Sequence, residues 1–114
     1  MAFNKTAARR YWQEQIDSAR RTAQQAKDNQ AAGRCDSAYY SVSAHHGFSG
    51  AAHGIASALF EADAITAREY NAMDVDTGHS DILDVEDQCG WYRSAAPAPD
   101  TRSHWPVSGR GQRR

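Results

Sequence analysis

From Asn4 to Ala32 the chain runs for twenty-nine residues without a proline or a glycine, and Gly33 follows at once. Within this stretch Trp12, Ile16, Ala19, Ala23 and Ala26 fall at spacings of four, three, four and three, and Ala8 extends the row upstream. That spacing predicts one long helix with a narrow, coiled-coil-like apolar seam. Asn4 or Thr6 can cap its start, and Gly33 can close its end in the left-handed conformation. Because most of the seam is alanine, a second helix can approach closely along most of its length. Lysine or aspartate at Ala23 is therefore expected to be disruptive.

The rest of the chain has little with which to build a core. Ile, Leu, Val and Phe make up about 11% of the 114 residues, whereas alanine occurs twenty-one times. Alanine favours helix but contributes little burial per residue. The expected fold is all-α: a small bundle of three to five helices forming one domain over residues 1–92, of modest stability and helped by a partner or a second copy. Residues 93–114 hold all three prolines, five arginines and few large apolar side chains, which predicts a disordered tail with Trp105 as its anchor.

Between Ser37 and Phe60 lie twenty-four residues without one Lys, Arg, Asp or Glu. The run is long enough to span a bilayer, but its three histidines, five serines and three glycines disfavour insertion. It reads as the packing spine, capped by Asp36 or Ser37. Gly47, Gly50 and Gly54 together cost about 3 kcal/mol in a helix interior. That cost predicts a break near Gly47 and Phe48, with Ser49 capping a second helix to about Ala62. The alternative is a continuous helix in which these glycines and Ala58 admit a neighbouring backbone. Downstream, Thr66 and Glu69 form a capping box for a short helix through Met73, residues 74–78 form a turn, and Ser80 or Asp81 caps a last helix through about Gln88. Trp91 and Tyr92 offer an aromatic anchor.

Charge divides the chain into three blocks: +4 over residues 1–35, −9 over 36–92 and +4 over 93–114. On the first helix, Arg10, Asp17, Arg21 and Asp28 alternate in sign, with Asp17 and Arg21 as a favourable i,i+4 pair. Arg9, Arg20, Lys27 and Arg34 form a second line bordering the seam, and of these only Arg20 has an acidic neighbour one turn away on its own helix. From Glu61 to Asp87 there are nine carboxylates and a single Arg68.

Motifs that would carry chemistry fail on spacing. His46 and His53 share a helix face but lie about 10 Å apart along the axis, and a metal site combining His45 or His46 with His79 needs tertiary coincidence. The string Asp74-x-Asp76-x-Gly78 resembles the opening of a calcium loop, but His79 and Val85 stand where glycine and glutamate are required. Ser49 lies between Gly47 and Gly50, but Ala51 occupies the position a nucleophile elbow needs as glycine. Phosphate-loop and dinucleotide glycine patterns do not occur. No catalytic, cofactor or metal role is expected, and the chain reads as a non-enzyme.

Two working surfaces remain. The acidic one comprises Asp74, Asp76, Asp81, Asp84, Glu86 and Asp87, with Asp81, Asp84 and Asp87 spaced to project from one helix face at about 5 Å intervals. Such a row can imitate a phosphate backbone and occupy the groove of a basic nucleic-acid-binding protein. The basic one is the line Arg9, Arg20, Lys27 and Arg34, which either binds nucleic acid directly or pairs with the acidic block inside the molecule or across a homodimer. In being short, helical and charge-segregated, the chain resembles the small anti-defence proteins of phages and plasmids, the anti-CRISPR and anti-restriction inhibitors; the likeness is one of general build. The amino terminus lacks the apolar core of a secretory signal, so the expected location is the cytoplasm of a bacterial host. In such a compartment Cys35 and Cys89 are expected as free thiols, with a disulfide between them the alternative if the fold brings them together.

Overall fold

A computed structural model describes residues 4–91, so the tail from 93 onward, Trp105 and Tyr92 lie outside the described residues. Among the described residues the fold is all-α, with four helices: α1 (Lys5–Ala31), α2 (Cys35–Glu61), α3 (Ala67–Ala72) and α4 (His79–Cys89). No described helix is long and apolar enough to cross a membrane.

α1 forms as its sequence predicts. Asn4 caps it, its side-chain oxygen accepting from the Ala7 N–H at 2.9 Å. Gly33 closes the far end at φ +77°, and the Arg34 N–H returns to the Asn29 carbonyl at 2.8 Å. Trp12, Ile16, Ala19, Ala23 and Ala26 are all buried. The short turn sends α2 back antiparallel along the whole of α1. Trp12 and Ile16 share a core cluster with Ala52, Ala56 and Leu59, and Ala23 and Ala26 share another with Ala38 and Val42. Between the clusters, buried His45 uses Nδ1 to meet the Ala19 carbonyl at 2.8 Å. A carbonyl can only accept, so Nδ1 carries the proton.

α2 is continuous through Gly47, Gly50 and Gly54, contrary to the predicted break, and Ser49 is a mid-helix residue rather than a cap. Nor do the glycines admit a neighbouring backbone: a Cβ built at any of the three meets nothing within 4 Å. The helix persists because its opposite face, from Ala38 to Leu59, is buried against α1, and that burial outweighs the local propensity cost. Replacing Gly47, Gly50 and Gly54 together with alanine is accordingly expected to stabilise the protein by about 2–3 kcal/mol, seen as a higher urea midpoint. The start of α2 also differs from expectation. Arg34 takes the cap position without a side-chain bond, and neither Asp36 nor Ser37 caps; Arg34 instead donates through Nε to Asn29 Oδ1 at 3.1 Å.

Beyond α2 the chain turns back across the α1 start, where α3 opens with the complete Thr66–Glu69 capping box. Residues 74–77 carry it along the hairpin to α4. The cap of α4 is Gly78, at φ +88°, rather than Ser80 or Asp81. The Gly78 N–H donates to Asp76 Oδ1 at 2.8 Å, and a Cβ on Gly78 would stand 2.7 Å from that of Ala23. The close approach permitted by the alanine seam is thus used by this turn as well as by α2.

α4 lays Ile82 and Val85 into the cluster of Ala23, Ala26, Ala38 and Val42. Its far end reaches the first turn of α2, where Cys89 and Cys35 form a disulfide with Cα atoms 5.8 Å apart. The expectation of free thiols is corrected here. It rested on compartment alone, whereas pairing depends on the path of α4, which the residues around the cysteines do not encode.

Candidate functional site

Three members of the basic line on α1 meet the acidic block. Arg9 lies 3.7 Å from Glu69, and Lys27 lies 3.5 Å from Asp81. Arg20 donates through Nε to the Asp76 carbonyl at 2.8 Å. Arg34 bonds Asn29, within the same turn. These pairs are exposed and individually weak, but they fix where the line's charge is directed. The alternating face behaves differently from expectation: Asp17 accepts from Gln13 Nε2 at 2.9 Å, and Arg21 donates to Ser18 Oγ at 3.0 Å, in place of an Asp17–Arg21 pair.

Glu69 meets Thr66, Lys5 and Arg9 together. Its Oε1 accepts from the Thr66 N–H at 2.8 Å and its Oε2 from Lys5 Nζ at 3.3 Å. These donors, the Thr66 backbone first and Lys5 second, hold its carboxyl below the ordinary glutamate range. A carboxylate with a lowered folded-state pKa contributes stability that is complete above its unfolded pKa and is lost as pH falls through the folded value. The melting temperature is therefore expected to decline as pH drops below the ordinary glutamate range. Glu69→Gln should flatten that acid limb while leaving the shape of the neutral region unchanged, as thermal melts across pH would show.

The acidic row on α4 divides. Asp81 turns to Lys27, and Glu86, largely shielded, has its carboxylate 3.7 Å from His46 Nε2. The outer face presents Ser80, Leu83, Asp84, Asp87 and Gln88 to solvent. Before the helix, Asp74 is exposed, and its carboxylate takes part in no hydrogen bond or ion pair among the described residues. Near the disulfide Tyr39 and Tyr40 are exposed, and the Tyr39 ring packs edge-on against both Tyr40, at 5.8 Å, and the partly buried Trp91, at 5.5 Å.

The histidines are dispersed. His45 is buried against α1, His46 faces Glu86, His53 lies 3.5 Å from Ser57 Oγ, and His79 opens α4. Among the described residues no three His, Cys, Asp or Glu side chains gather in a way that could hold a metal ion.

A groove of about 490 Å³ lies between the Trp12 half of the hairpin and the segment that crosses it. Trp12, Ile16, Ala52, Ala56 and Met73 line its apolar part, and His53, Tyr70, Asp74, Asp76 and His79 are among the polar residues. The sequence reading missed this groove. Trp12 was legible only as a seam residue and Asp74 and Asp76 only as turn residues of the acidic surface, because their meeting with Trp12 depends on the path of residues 62–78.

No protein-family model, curated protein or solved structure matches the chain.

Proposed function

We propose that this chain is a non-enzymatic protein-binding module whose acidic outer surface, on α4 and the segment before it, meets a basic protein of a nucleic-acid-handling complex. The finer form of the proposal is an inhibitor of the anti-CRISPR or anti-restriction type carried by a phage or plasmid. One observation supports it above others: Arg9, Arg20 and Lys27 are directed onto the acidic block, while Asp74 and Asp84 remain exposed. The block from 36 to 92 that carries this surface has a net charge of −9 in a chain whose overall charge is −1. A surface of that sign attracts a cationic groove over long range and repels a polyanion. The same contacts weigh against a DNA-binding regulator built on the basic line, since its cations would have to be released first.

The test is affinity capture from the native host, with the wild-type chain compared with Asp84→Asn/Asp87→Asn. The wild type is expected to retain a basic partner after nuclease treatment, and the double variant to retain at least about tenfold less. Equal recovery with the variant overturns the proposal, as does tight, salt-dependent binding of the isolated chain to a DNA duplex.

A further inference from the structure

The side of the hairpin that faces away from α3 and α4 carries two rows of uncharged residues. The contacts that tie the later elements to the hairpin, Arg9 with Glu69, Arg20 with Asp76, Lys27 with Asp81 and His46 with Glu86, all leave from the opposite side. About 160° around α1 from these cations runs the row Tyr11, Gln15, Ser18, Thr22, Gln25 and Asn29, at spacings of four, three, four, three and four. About 160° around α2 from His46 runs the row Ala44, Phe48, Ala51, Ile55 and Ala58, at spacings of four, three, four and three. Lysine, arginine, aspartate and glutamate make up 24% of the chain, yet not one stands in either row. Thr22 Oγ1 is satisfied within its own helix, donating to the Ser18 and Ala19 carbonyls at 2.9 and 3.0 Å. Tyr11 and, towards the other end, Tyr40 are more than half exposed. Beside the α2 row, a Cβ at Gly47 or Gly54 meets nothing within 4 Å.

We infer that this face binds the same face of a second copy, so that two hairpins pack as a four-helix bundle. A charged partner would bury its charges against rows that offer none in return, whereas a second chain presents rows equally without charge. Alternating spacings of three and four on both helices are the pattern with which helices pack at shallow angles in bundles. The area is sufficient. Helices of 27 residues are about 40 Å long and two side by side about 20 Å wide, a footprint of about 800 Å², which is what each partner of a stable complex ordinarily buries. Tyr11 and Tyr40 are large amphipathic side chains of the kind that anchor interfaces. A two-fold axis makes the contact self-complementary and closes it at two copies. Because the face lies opposite α3 and α4, pairing leaves both acidic outer surfaces open, and the assignment does not depend on what those surfaces bind.

The experiment is analytical ultracentrifugation of the oxidised full chain across about 1 µM to 1 mM. The mass is expected to rise with concentration towards twice the 12.6 kDa of one chain. Ala44→Glu/Gly47→Glu sets carboxylates of both chains into the face and should raise the dissociation constant at least about 100-fold. Both positions are exposed, so the variant should keep the helical signal and cooperative melt of a single chain. Ala44→Ser and Asp84→Asn/Asp87→Asn should dimerise as wild type does. Alanine at Gly47, Gly50 and Gly54 narrows the approach of a second helix, so that variant, more stable at dilution, should dimerise more weakly. A second measurement needs no substitution: on dilution of the wild type, the Tyr11 ring and the amides of residues 44–55 should shift in NMR spectra while those of 81–87 stay. A single-chain mass up to about 1 mM, a dimer that survives the two glutamates, or dilution shifts confined to α4 would each overturn the assignment.

Discussion

Cys89→Ser is expected to lower the free energy of unfolding by about 4 kcal/mol relative to the oxidised wild type. The disulfide joins residues 54 apart in sequence, and closing a loop of that length in the unfolded chain removes entropy worth about that much at room temperature. The folded state has few other means of holding the same end. α4 is only eleven residues long and buries just Ile82 and Val85, so without the cross-link its last turn depends on two aliphatic side chains and surface contacts. Denaturant unfolding of the oxidised protein, the reduced protein and Cys89→Ser should give one high midpoint and two similar low ones. Coincident midpoints would show that the bond adds nothing. The result also bears on the expected cytoplasmic location: structural disulfides persist chiefly in oxidising compartments, so a chain working in a reducing cytosol would forgo this contribution.

Ala23→Asp is expected to prevent folding, with a loss of more than about 4 kcal/mol. Ala23 is 1% exposed and faces the buried Ala38, Val42, Ile82 and Val85. A carboxylate there would be desolvated among these apolar side chains. There is no room to accommodate it by a shift of the turn, because Gly78 already approaches so closely that its own Cβ would stand 2.7 Å from that of Ala23. Lysine at the same position should behave alike. Circular dichroism would show loss of the helical signal or of a cooperative melt, and a native-like melt from either variant would mean that the seam is not packed as described.

What could be read from the sequence was local in origin. The span of α1, its Asn4 cap, Gly33 and the Thr66–Glu69 box follow from hydrogen bonds and spacings within a few residues, and each appears in the fold. Continuity of α2 did not follow, because the propensity cost of Gly47, Gly50 and Gly54 is local while the burial that outweighs it lies on the facing helix. The Gly78 cap escaped notice for a similar reason: Ser80 and Asp81 are better intrinsic caps, but contact with Ala23 requires a residue without a side chain. Pairing of Cys35 with Cys89, the division of the acidic row between Lys27, His46 and solvent, and the groove over Trp12 all depend on how residues 62–89 return across the hairpin. That path is set by the sum of small contacts with α1 and α2, and no short motif encodes it.

The proposed role of the outer carboxylates is tested most directly by measuring the affinity between the purified chain and the partner recovered from its host as salt is raised from about 0.1 to 0.5 M. Binding is expected to weaken steeply with salt, and Asp84→Asn/Asp87→Asn to reduce both the affinity and its salt dependence. An affinity indifferent to salt and unchanged in the double variant would contradict an acidic surface as the site of recognition.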